Sequence, residues 1–249
     1  MSNKQSELIY GLHAVESAIR HHAEDVLQLW LQQGRNDKRF QMLSGLAKNS
    51  GVSVQSISAD KLKKKCPGVR HQGVVAQIRR QKQNKVELED LLEREELLLL
   101  ILDEVQDPHN IGACLRTADA AGVDAVIVSK NRSPALTGVI RNVASGGAET
   151  VPYIQVSNLA RAISQLRDRD VWVVGASGDA STDLYDLTAS KRMALVMGSE
   201  GKGMRRLTRE SCDELIAIPM QGNVESLNVS VATGICLFQI RHLMNTASA

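Results

Sequence analysis

Aromatic residues, paired cysteines and long apolar runs are all scarce in this sequence, and each scarcity excludes a class of protein. Phe, Trp and Tyr together make up 3% of the 249 residues, so the core has to be built from aliphatic side chains. The longest apolar run, Leu97–Leu102, is far shorter than the roughly 20 residues that a membrane-spanning helix needs. The first ten residues, MSNKQSELIY, carry no apolar signal segment, so we expect a cytoplasmic protein with no membrane partner.

The cysteines and histidines lack the spacings that bind metals. Neither a C-x-x-C pair nor an H-E-x-x-H segment is present. This pattern favours reduced, mostly buried thiols over a zinc site or a disulfide framework, and we expect no metal. The four cysteines are Cys66, Cys114, Cys212 and Cys236.

What the sequence does have is a strong division of charge along its length. Residues 1–85 hold 15 Lys and Arg against 6 Asp and Glu, whereas residues 86–249 hold 15 against 22. The net charge of +2 therefore conceals a basic part and an acidic part. Such asymmetry indicates two units with different partners, and the basic unit is a candidate for binding nucleic acid.

The hydrophobic pattern of the first part predicts a small α/β domain over residues 1–78. Ser58 is placed to cap one of its helices. A linker is predicted over residues 79–95, because it begins with the basic stretch RRQKQNK and then turns acidic. The predicted helices are His13–His22, Asn36–Asn49 and Ser58–Lys65, and the predicted strands are Val26–Leu31, Val52–Ile57 and Gly73–Ile78.

Residues 96–249 alternate apolar strands with helical stretches. This alternation predicts a parallel sheet with helices on both faces, in which ligands bind beyond the carboxyl ends of the strands. The last helix is predicted from Val229 to about Met244. The predicted strands are Leu97–Leu102, Ala125–Ser129, Val171–Ala176, Met193–Met197 and Leu215–Ile218.

Three segments that follow strands are rich in Gly, Asn, Ser and charged residues. In residues 103–118, Pro108 ends a strand and Asn110 is placed to cap the next helix. Met197–Met204 holds three glycines but matches neither a Walker P-loop nor the dinucleotide fingerprint. In the third segment, Ser226 is placed to cap the last helix. Taken singly, each segment also has an ordinary structural interpretation: Arg116 as a surface arginine, Met197–Met204 as a plain glycine-rich turn, and Ser226 and Asn228 as helix caps.

Together, the three segments resemble the three sequence motifs of the SpoU, or TrmH, family of RNA ribose 2′-O-methyltransferases in the SPOUT superfamily. The amino-terminal part resembles the family's small substrate-binding domain. Over the whole chain the similarity is to the members that methylate a guanosine ribose in 23S rRNA. The matching stretches are DEVQDPHNIGACLRTA, ALVMGSEGKGM, IPMQGNVESLNVSVATGICLF, IYGLHAVESAI and HQGVVAQI.

The resemblance implies a fold that the layer pattern alone does not supply. The carboxy-terminal parallel-sheet domain is expected to contain a deep trefoil knot, which general rules of chain topology disfavour. The amino-terminal domain is expected to be α/β and similar to ribosomal protein L30. A homodimer is implied, with the last helix packed against a partner, and the small residues Thr233, Gly234 and Cys236 are candidates for that face.

The resemblance also implies S-adenosylmethionine as cofactor and assigns site residues. Gly198, Ile218, Met220 and Leu227 would bind the cofactor, with Gly198 allowing its close approach. The active-site residues would be Asn110, Arg116, Glu200, Ser226 and Asn228. The family's usual hypothesis makes the arginine a general base, but a guanidinium stays protonated at neutral pH. We expect Arg116 instead to clamp a phosphate while a phosphate oxygen or water takes the proton.

Basic residues of the amino-terminal part are expected to hold the rRNA through its phosphates. A solvated charged face is the alternative for this set. Other targets, such as a tRNA ribose or another rRNA nucleotide, and a non-catalytic role in RNA binding or ribosome assembly are the rival hypotheses. The predicted RNA-binding residues are Lys61, Lys63, Lys64, Lys65, Arg70, Arg79 and Arg80.

Overall fold

The computed structural model describes residues 6–35, 37–69, 71–79, 86–188 and 190–247. The chain divides into an amino-terminal unit, made of Met1–Asn84 and Leu136–Thr150, and a carboxy-terminal unit, made of Lys85–Ala135 and Val151–Ala249. The segment Leu136–Thr150 therefore belongs by its contacts to the amino-terminal unit, although it follows more than 50 residues of the other one. Nothing in the hydrophobic pattern predicted this excursion of the chain.

The described residues form helices and strands close to the predicted ones. In chain order they are β1 (Ser6–Tyr10), α1 (Leu12–His22), β2 (Val26–Gln32), α2 (Lys38–Asn49), β3 (Val54–Ile57), α3 (Ala59–Lys65), β4 (Val74–Arg79), α4 (Leu88–Leu91), β5 (Leu97–Leu102), α5 (Pro108–Ala120), β6 (Ala125–Ser129), α6 (Gly138–Ala144), α7 (Gly147–Thr150), β7 (Tyr153–Val156), α8 (Leu159–Arg167), β8 (Trp172–Ala176), β9 (Thr182–Asp183), β10 (Arg192–Met197), α9 (Arg206–Glu210), β11 (Glu214–Ala217) and α10 (Val229–Ala247). The short strands β1, β7 and β9 were not predicted, because too few residues alternate in them.

The amino-terminal unit is built on a four-stranded sheet in the order β1-β4-β2-β3. The outer pair β2 and β3 is parallel, and β4 runs antiparallel to both of its neighbours. Aliphatic side chains from α1 and α2 pack with those of the sheet in one buried cluster. Ser58 caps α3 as predicted, since its side chain accepts a hydrogen bond from the backbone N–H of Lys61.

The segment Leu136–Thr150 is fixed in this unit by a buried arginine. Arg141 Nε donates to Glu7 Oε1 at 2.9 Å, and its Nη1 donates to Glu149 Oε1 at 2.8 Å. The side chain of Asn142 accepts from the backbone N–H of Tyr10 at 2.7 Å. Burial raises the pKa of Glu149 above its usual value, while Arg141 opposes that shift. The two carboxylates lie on segments far apart in sequence, so only the fold brings them to one guanidinium.

The carboxy-terminal unit is a seven-stranded, all-parallel sheet in the order β7-β6-β5-β10-β8-β11-β9. All six side chains of β5 are buried, which explains its uninterrupted apolar sequence, since a central parallel strand is covered on both faces. The predicted α/β class is confirmed. Leu102 pairs with both Met197 and Val128, so the loops after three neighbouring strands emerge together at one edge. The trefoil knot stays a prediction of the resemblance.

Two predicted helix caps are wrong by two or three residues. Helix α5 begins at Pro108, and its cap is Asp107, whose side chain accepts from the backbone N–H of His109. Asn110 therefore lies inside the first turn. Helix α10 begins at Val229, where the side chain of Asn228 accepts from the N–H of Ser230. The side chains of Asn110 and Ser226 therefore do not cap these helices.

Two of the three small residues of the last helix, Thr233 and Cys236, pack inside the chain, so their prediction as a partner-facing surface is wrong. Gly234 is partly buried, and its place on that surface stays a prediction. Thr233 and Cys236 are completely buried, and the Thr233 hydroxyl lies 3.6 Å from the thiol of Cys114 in α5. All four cysteines are free, and burial raises the pKa of Cys114 to about 11 and that of Cys236 to about 12. Among the described residues, no helix is long and apolar enough to cross a membrane.

Candidate active site

The loop after β10 and the starts of α5 and α10 converge on one carboxylate, that of Glu200. Its Oε1 accepts hydrogen bonds from Asn110 Nδ2 at 3.2 Å and from Asn228 Nδ2 at 2.5 Å. The same oxygen accepts from the backbone N–H of Val229 at 3.3 Å. A carboxylate at a helix N-terminus interacts favourably with the partial positive charge there. Glu200 thus ties together three segments that lie far apart in the sequence.

Asn228 has two roles in this arrangement. Its Nδ2 also donates to Asn110 Oδ1 at 3.0 Å, closing the triangle with Glu200. Its Oδ1 accepts from the backbone N–H and the hydroxyl of Ser230, at 2.9 and 2.6 Å. Asn228 therefore caps α10 through its Oδ1 and joins the cluster through its Nδ2.

Two predicted catalytic residues take no part in the hydrogen bonds of this cluster. Arg116 is exposed on α5, and Ser226 is exposed in the loop before α10. Neither side chain makes a hydrogen bond or an ion pair with the described residues. The geometry therefore joins Asn110, Glu200 and Asn228, and it leaves the guanidinium of Arg116 available for a ligand.

The glycine-rich loop that presents Glu200 folds back on itself. The N–H and C=O groups of Ser199 and Gly203 bond each other at 3.1 and 2.9 Å. A Cβ atom on Gly198 would lie 2.1 Å from the carbonyl carbon of Gly203 and 2.2 Å from the backbone nitrogen of Met204. The proposed reason for this glycine was the approach of a cofactor. The space is taken by the loop's own backbone, so the glycine is required for closing the loop.

The remaining predicted cofactor residues follow β11 and fit an adenine-binding role by their backbone. Ile218 and Leu227 are partly buried, and Met220 is exposed. The backbone N–H and C=O groups of these three residues make no hydrogen bond to the rest of the described chain. Open donors and acceptors next to partly buried apolar side chains suit a flat heteroaromatic ring, whose edge needs hydrogen bonds and whose faces need apolar contact.

One buried ion pair at the site was not predicted from the sequence. Asp103, which directly follows β5, is completely buried. Its two carboxylate oxygens accept from the backbone N–H of Arg205 at 2.9 Å and from Arg205 Nε at 2.7 Å. Two features of the sequence could have indicated this ion pair: a charged residue at the end of an apolar strand, and arginines directly after the glycine-rich loop.

The predicted RNA-binding residues divide by environment. Lys61, Lys63 and Lys64 are exposed on α3. Lys65 Nζ lies 3.7 Å from the centre of the Trp30 ring, a cation–π contact that fixes its position. Arg79 lies 3.9 Å from Asp25, and Arg70 and Arg80 lie outside the described residues.

Two family models match the chain. The model of the SpoU rRNA Methylase family matches residues 97–238. The model described as RNA 2′-O ribose methyltransferase substrate binding matches residues 8–83.

Curated relatives share about half of the sequence over almost its full length. A protein of Pseudomonas aeruginosa named 23S rRNA (guanosine-2′-O-)-methyltransferase RlmB is 54% identical over 239 residues, covering 95% of this chain and 96% of its own. The protein of that name in Shewanella oneidensis is 50% identical over 238 residues, covering 95% and 97%.

Solved structures of similar proteins share the fold. An RNA 2′-O ribose methyltransferase aligns with a TM-score of 0.82 at 24% identity, covering 96% of this chain and 89% of that one. An rRNA methyltransferase from Sinorhizobium meliloti with bound AdoMet aligns with a TM-score of 0.77 at 25% identity, covering 96% and 87%. The likeness therefore spans both units of the chain.

Proposed function

Because the chain belongs to the SpoU rRNA methylase family, we propose that it transfers a methyl group from S-adenosylmethionine to the ribose 2′-hydroxyl of a guanosine in 23S rRNA. The observation that carries this proposal is the 54% identity, over nearly the whole of both chains, to a protein named for that reaction. The triangle of Asn110, Glu200 and Asn228 supports an intact site. Such a substrate also favours a cytoplasmic location.

The cofactor would lie between the glycine-rich loop and the segment after β11. S-adenosylmethionine, when bound, supplies an electrophilic methyl group on a positively charged sulfur. The open backbone groups of Ile218, Met220 and Leu227 would bond the edge of its adenine. Gly198 would act indirectly, because the closed loop that it permits sets the wall of the site and places Glu200.

Arg116 would hold the RNA beside the cofactor. Its guanidinium stays protonated at neutral pH, so it can donate hydrogen bonds to a phosphate but cannot take up the proton of the 2′-hydroxyl. A phosphate oxygen or a water molecule would accept that proton. Asn110 and Asn228, aligned by Glu200, would orient the ribose, and such positioning supplies a large part of the rate in a displacement reaction. Ser226 would contact the substrate from the exposed loop.

Label transfer from tritiated S-adenosylmethionine tests the proposed substrate. Separate reactions with 23S rRNA, 16S rRNA and tRNA, each transcribed without modifications, should give label in 23S rRNA alone. Label in tRNA would support the rival target instead. Binding of 23S rRNA without any label transfer would support the non-catalytic role in RNA binding or assembly.

We propose residues 1–78 as the domain that holds the rRNA, residues 79–95 as a linker and residues 96–249 as the catalytic domain. Replacing Lys61, Lys63 and Lys64 together by Ala should make RNA binding weaker and less dependent on salt. The slope of log K against log salt is negative, and each lost phosphate contact reduces its magnitude by about 0.7–0.9. The magnitude should therefore decrease by about 2 to 3 in the triple variant. Filter binding across a range of salt concentrations measures it.

A triple variant on another helix of the same unit is the matched control. Lys38, Arg39 and Lys48 are exposed on α2, and replacing them by Ala changes the net charge equally. An equal loss of slope in both triple variants would contradict a specific role for α3 and favour a uniformly solvated basic face.

We propose a homodimer that uses the exposed apolar side of α10. Val231 and Phe238 are 50% and 54% exposed, and their spacing of seven residues puts them on one side of the helix. Phe238→Asp should convert a dimer into a monomer in light scattering, because a carboxylate would lose its hydration at the contact. Met42→Asp, at another exposed apolar residue, should leave the dimer intact. A monomeric wild-type protein would contradict the proposal.

A further inference from the structure

Helix α9 follows the glycine-rich loop directly and lies where three neighbouring strands end. In the sheet, β10 lies between β5 and β8. The glycine-rich loop leaves β10, so the segments that follow β5 and β8 flank it on either side. Arginines at the two ends of α9 reach these two flanking segments.

The first contact is the buried pair of Arg205 and Asp103. Arg205 is the cap residue of α9, and its backbone N–H and Nε occupy both carboxylate oxygens of Asp103. Glu104, the next residue after β5, lies 3.7 Å from the same guanidinium and also pairs with Arg132. The carboxyl end of β5 is thereby fastened to the end of the glycine-rich loop.

The second contact lies on the other side. Arg209 Nη1 donates to Ser177 Oγ at 2.6 Å and to Asp179 Oδ1 at 2.9 Å, and its Nη2 donates to Asp179 Oδ2 at 3.2 Å. Hydrogen bonds from Arg209 and Ser177 lower the pKa of Asp179 to about 2, so this carboxylate is charged throughout the working range of pH. Ser177 and Asp179 belong to the segment that follows β8.

The spacing of the two arginines explains why one short helix can make both contacts. Arg205 precedes the first residue of α9 and Arg209 lies near its end, so the two side chains leave the helix about one turn apart and reach different flanking segments. Arg206 points elsewhere and pairs with Glu210 on the surface.

We propose that α9 is a clamp in which Arg205 and Arg209 are positioning residues for methyl transfer, because they fasten the segments on both sides of the glycine-rich loop and so fix Glu200 in the active-site cluster. This inference rests on the proposed function for its catalytic consequence only. The two contacts are unequal. Asp103 is buried, so the loss of its partner leaves an uncompensated charge, whereas Asp179 is exposed and solvent screens its pairing.

Steady-state kinetics with 23S rRNA distinguish the contributions of Arg205 and Arg209 to catalysis. Arg205→Ala should lower kcat by about 30- to 100-fold, because a displacement of about 1 Å in a catalytic group can cost about 100-fold. Its KM for RNA should change little, since the RNA-holding residues are elsewhere. Arg209→Ala should lower kcat by about 3-fold, as expected for a screened surface pair. Arg205→Lys keeps the charge without the fixed geometry of the guanidinium and should fall between wild type and Arg205→Ala.

Hydrogen exchange of the full-length protein tests the clamp independently of activity. The backbone N–H of Val229 donates to Glu200, and those of Ser199 and Gly203 close the glycine-rich loop. The exchange rates of these amides therefore report on the position of Glu200 and on the closure of the loop. Arg205→Ala and Arg205→Lys should speed exchange at these three amides by about 10-fold or more, while the rest of α10 stays protected. A general loss of stability would instead speed exchange throughout β10 and α10.

Arg206→Ala is the matched control within the same helix, and it should change neither kcat nor exchange. Equal effects of Arg206→Ala and Arg205→Ala would overturn the clamp, as would unchanged exchange at Val229 in both Arg205 variants. If the wild-type protein fails to methylate any RNA, the proposed function is wrong, and the exchange measurements still decide whether the clamp exists.

Discussion

Arg116→Ala should lower kcat for methyl transfer by at least about 100-fold while leaving the melting temperature unchanged. The side chain is exposed and makes no hydrogen bond or ion pair with the described residues, so its removal costs the fold almost nothing. Its guanidinium is proposed to hold a phosphate, and removing one donor from a charged transition state costs about 2.7–4 kcal/mol, which corresponds to about 100- to 1,000-fold in rate. Single-turnover kinetics with saturating S-adenosylmethionine measure the step itself.

Arg116→Lys separates charge from geometry. A lysine keeps the positive charge but lacks the planar fork that bonds a phosphate through two nitrogens, so about a 10-fold loss of kcat is expected. Full activity in Arg116→Lys, with unchanged RNA affinity, would contradict a role for guanidinium geometry. Full activity in Arg116→Ala would remove this residue from the site and leave only its interpretation as a surface arginine.

Gly198→Ala should weaken the binding of S-adenosylmethionine by about 100-fold. The added methyl group would meet the backbone of Gly203 and Met204 at 2.1 and 2.2 Å, and main-chain atoms cannot rotate away as a side chain can. Overpacking costs about 1–3 kcal/mol. The strain falls on the closed loop that is proposed to form the wall of the cofactor site, so a cost at the upper end raises the Kd for S-adenosylmethionine by about 100-fold. Calorimetric titration with the cofactor measures this effect.

Gly222→Ala is the control for this prediction. Gly222 lies in the neighbouring segment after β11 and has no atom within 4 Å of an added Cβ, so its substitution should leave the Kd within about 2-fold. Wild-type cofactor affinity in Gly198→Ala would show that the closed loop does not form the wall of the site. A lower melting temperature with normal affinity would limit the glycine to a structural role.

The parts of the fold that follow from local pattern were predicted well. The strand Leu97–Leu102 was placed at its observed bounds, because a run of six apolar residues is typical of a parallel strand covered on both faces. The last helix was placed at its observed start, Val229. The parallel sheet followed from the alternation of such elements. It brought the segments after β5 and β10 to one edge, as ligand sites in such sheets require.

Features that depend on distant partners could not be predicted in this way. Arg141 forms an ion pair with Glu7, 134 positions earlier in the sequence, and Arg205 forms one with Asp103, 102 positions earlier. The hydrophobic pattern of a sequence carries no information about such ion pairs between distant residues. Thr233 and Cys236 of α10 were assigned to the wrong surface for a related reason, since small residues satisfy the pattern of an interface equally well when they pack within the same chain. The site residues came from the motif resemblance, and their roles stay predictions.

Nucleoside analysis of the reacted rRNA tests the central claim most directly. Unmodified 23S rRNA would be incubated with the protein and S-adenosylmethionine, digested to nucleosides and analysed by chromatography and mass spectrometry. We predict one new product, 2′-O-methylguanosine, at about one mole per mole of rRNA, since a specific enzyme modifies one position. No methylated nucleoside, or a guanosine methylated on its base instead of its ribose, would contradict the proposed reaction.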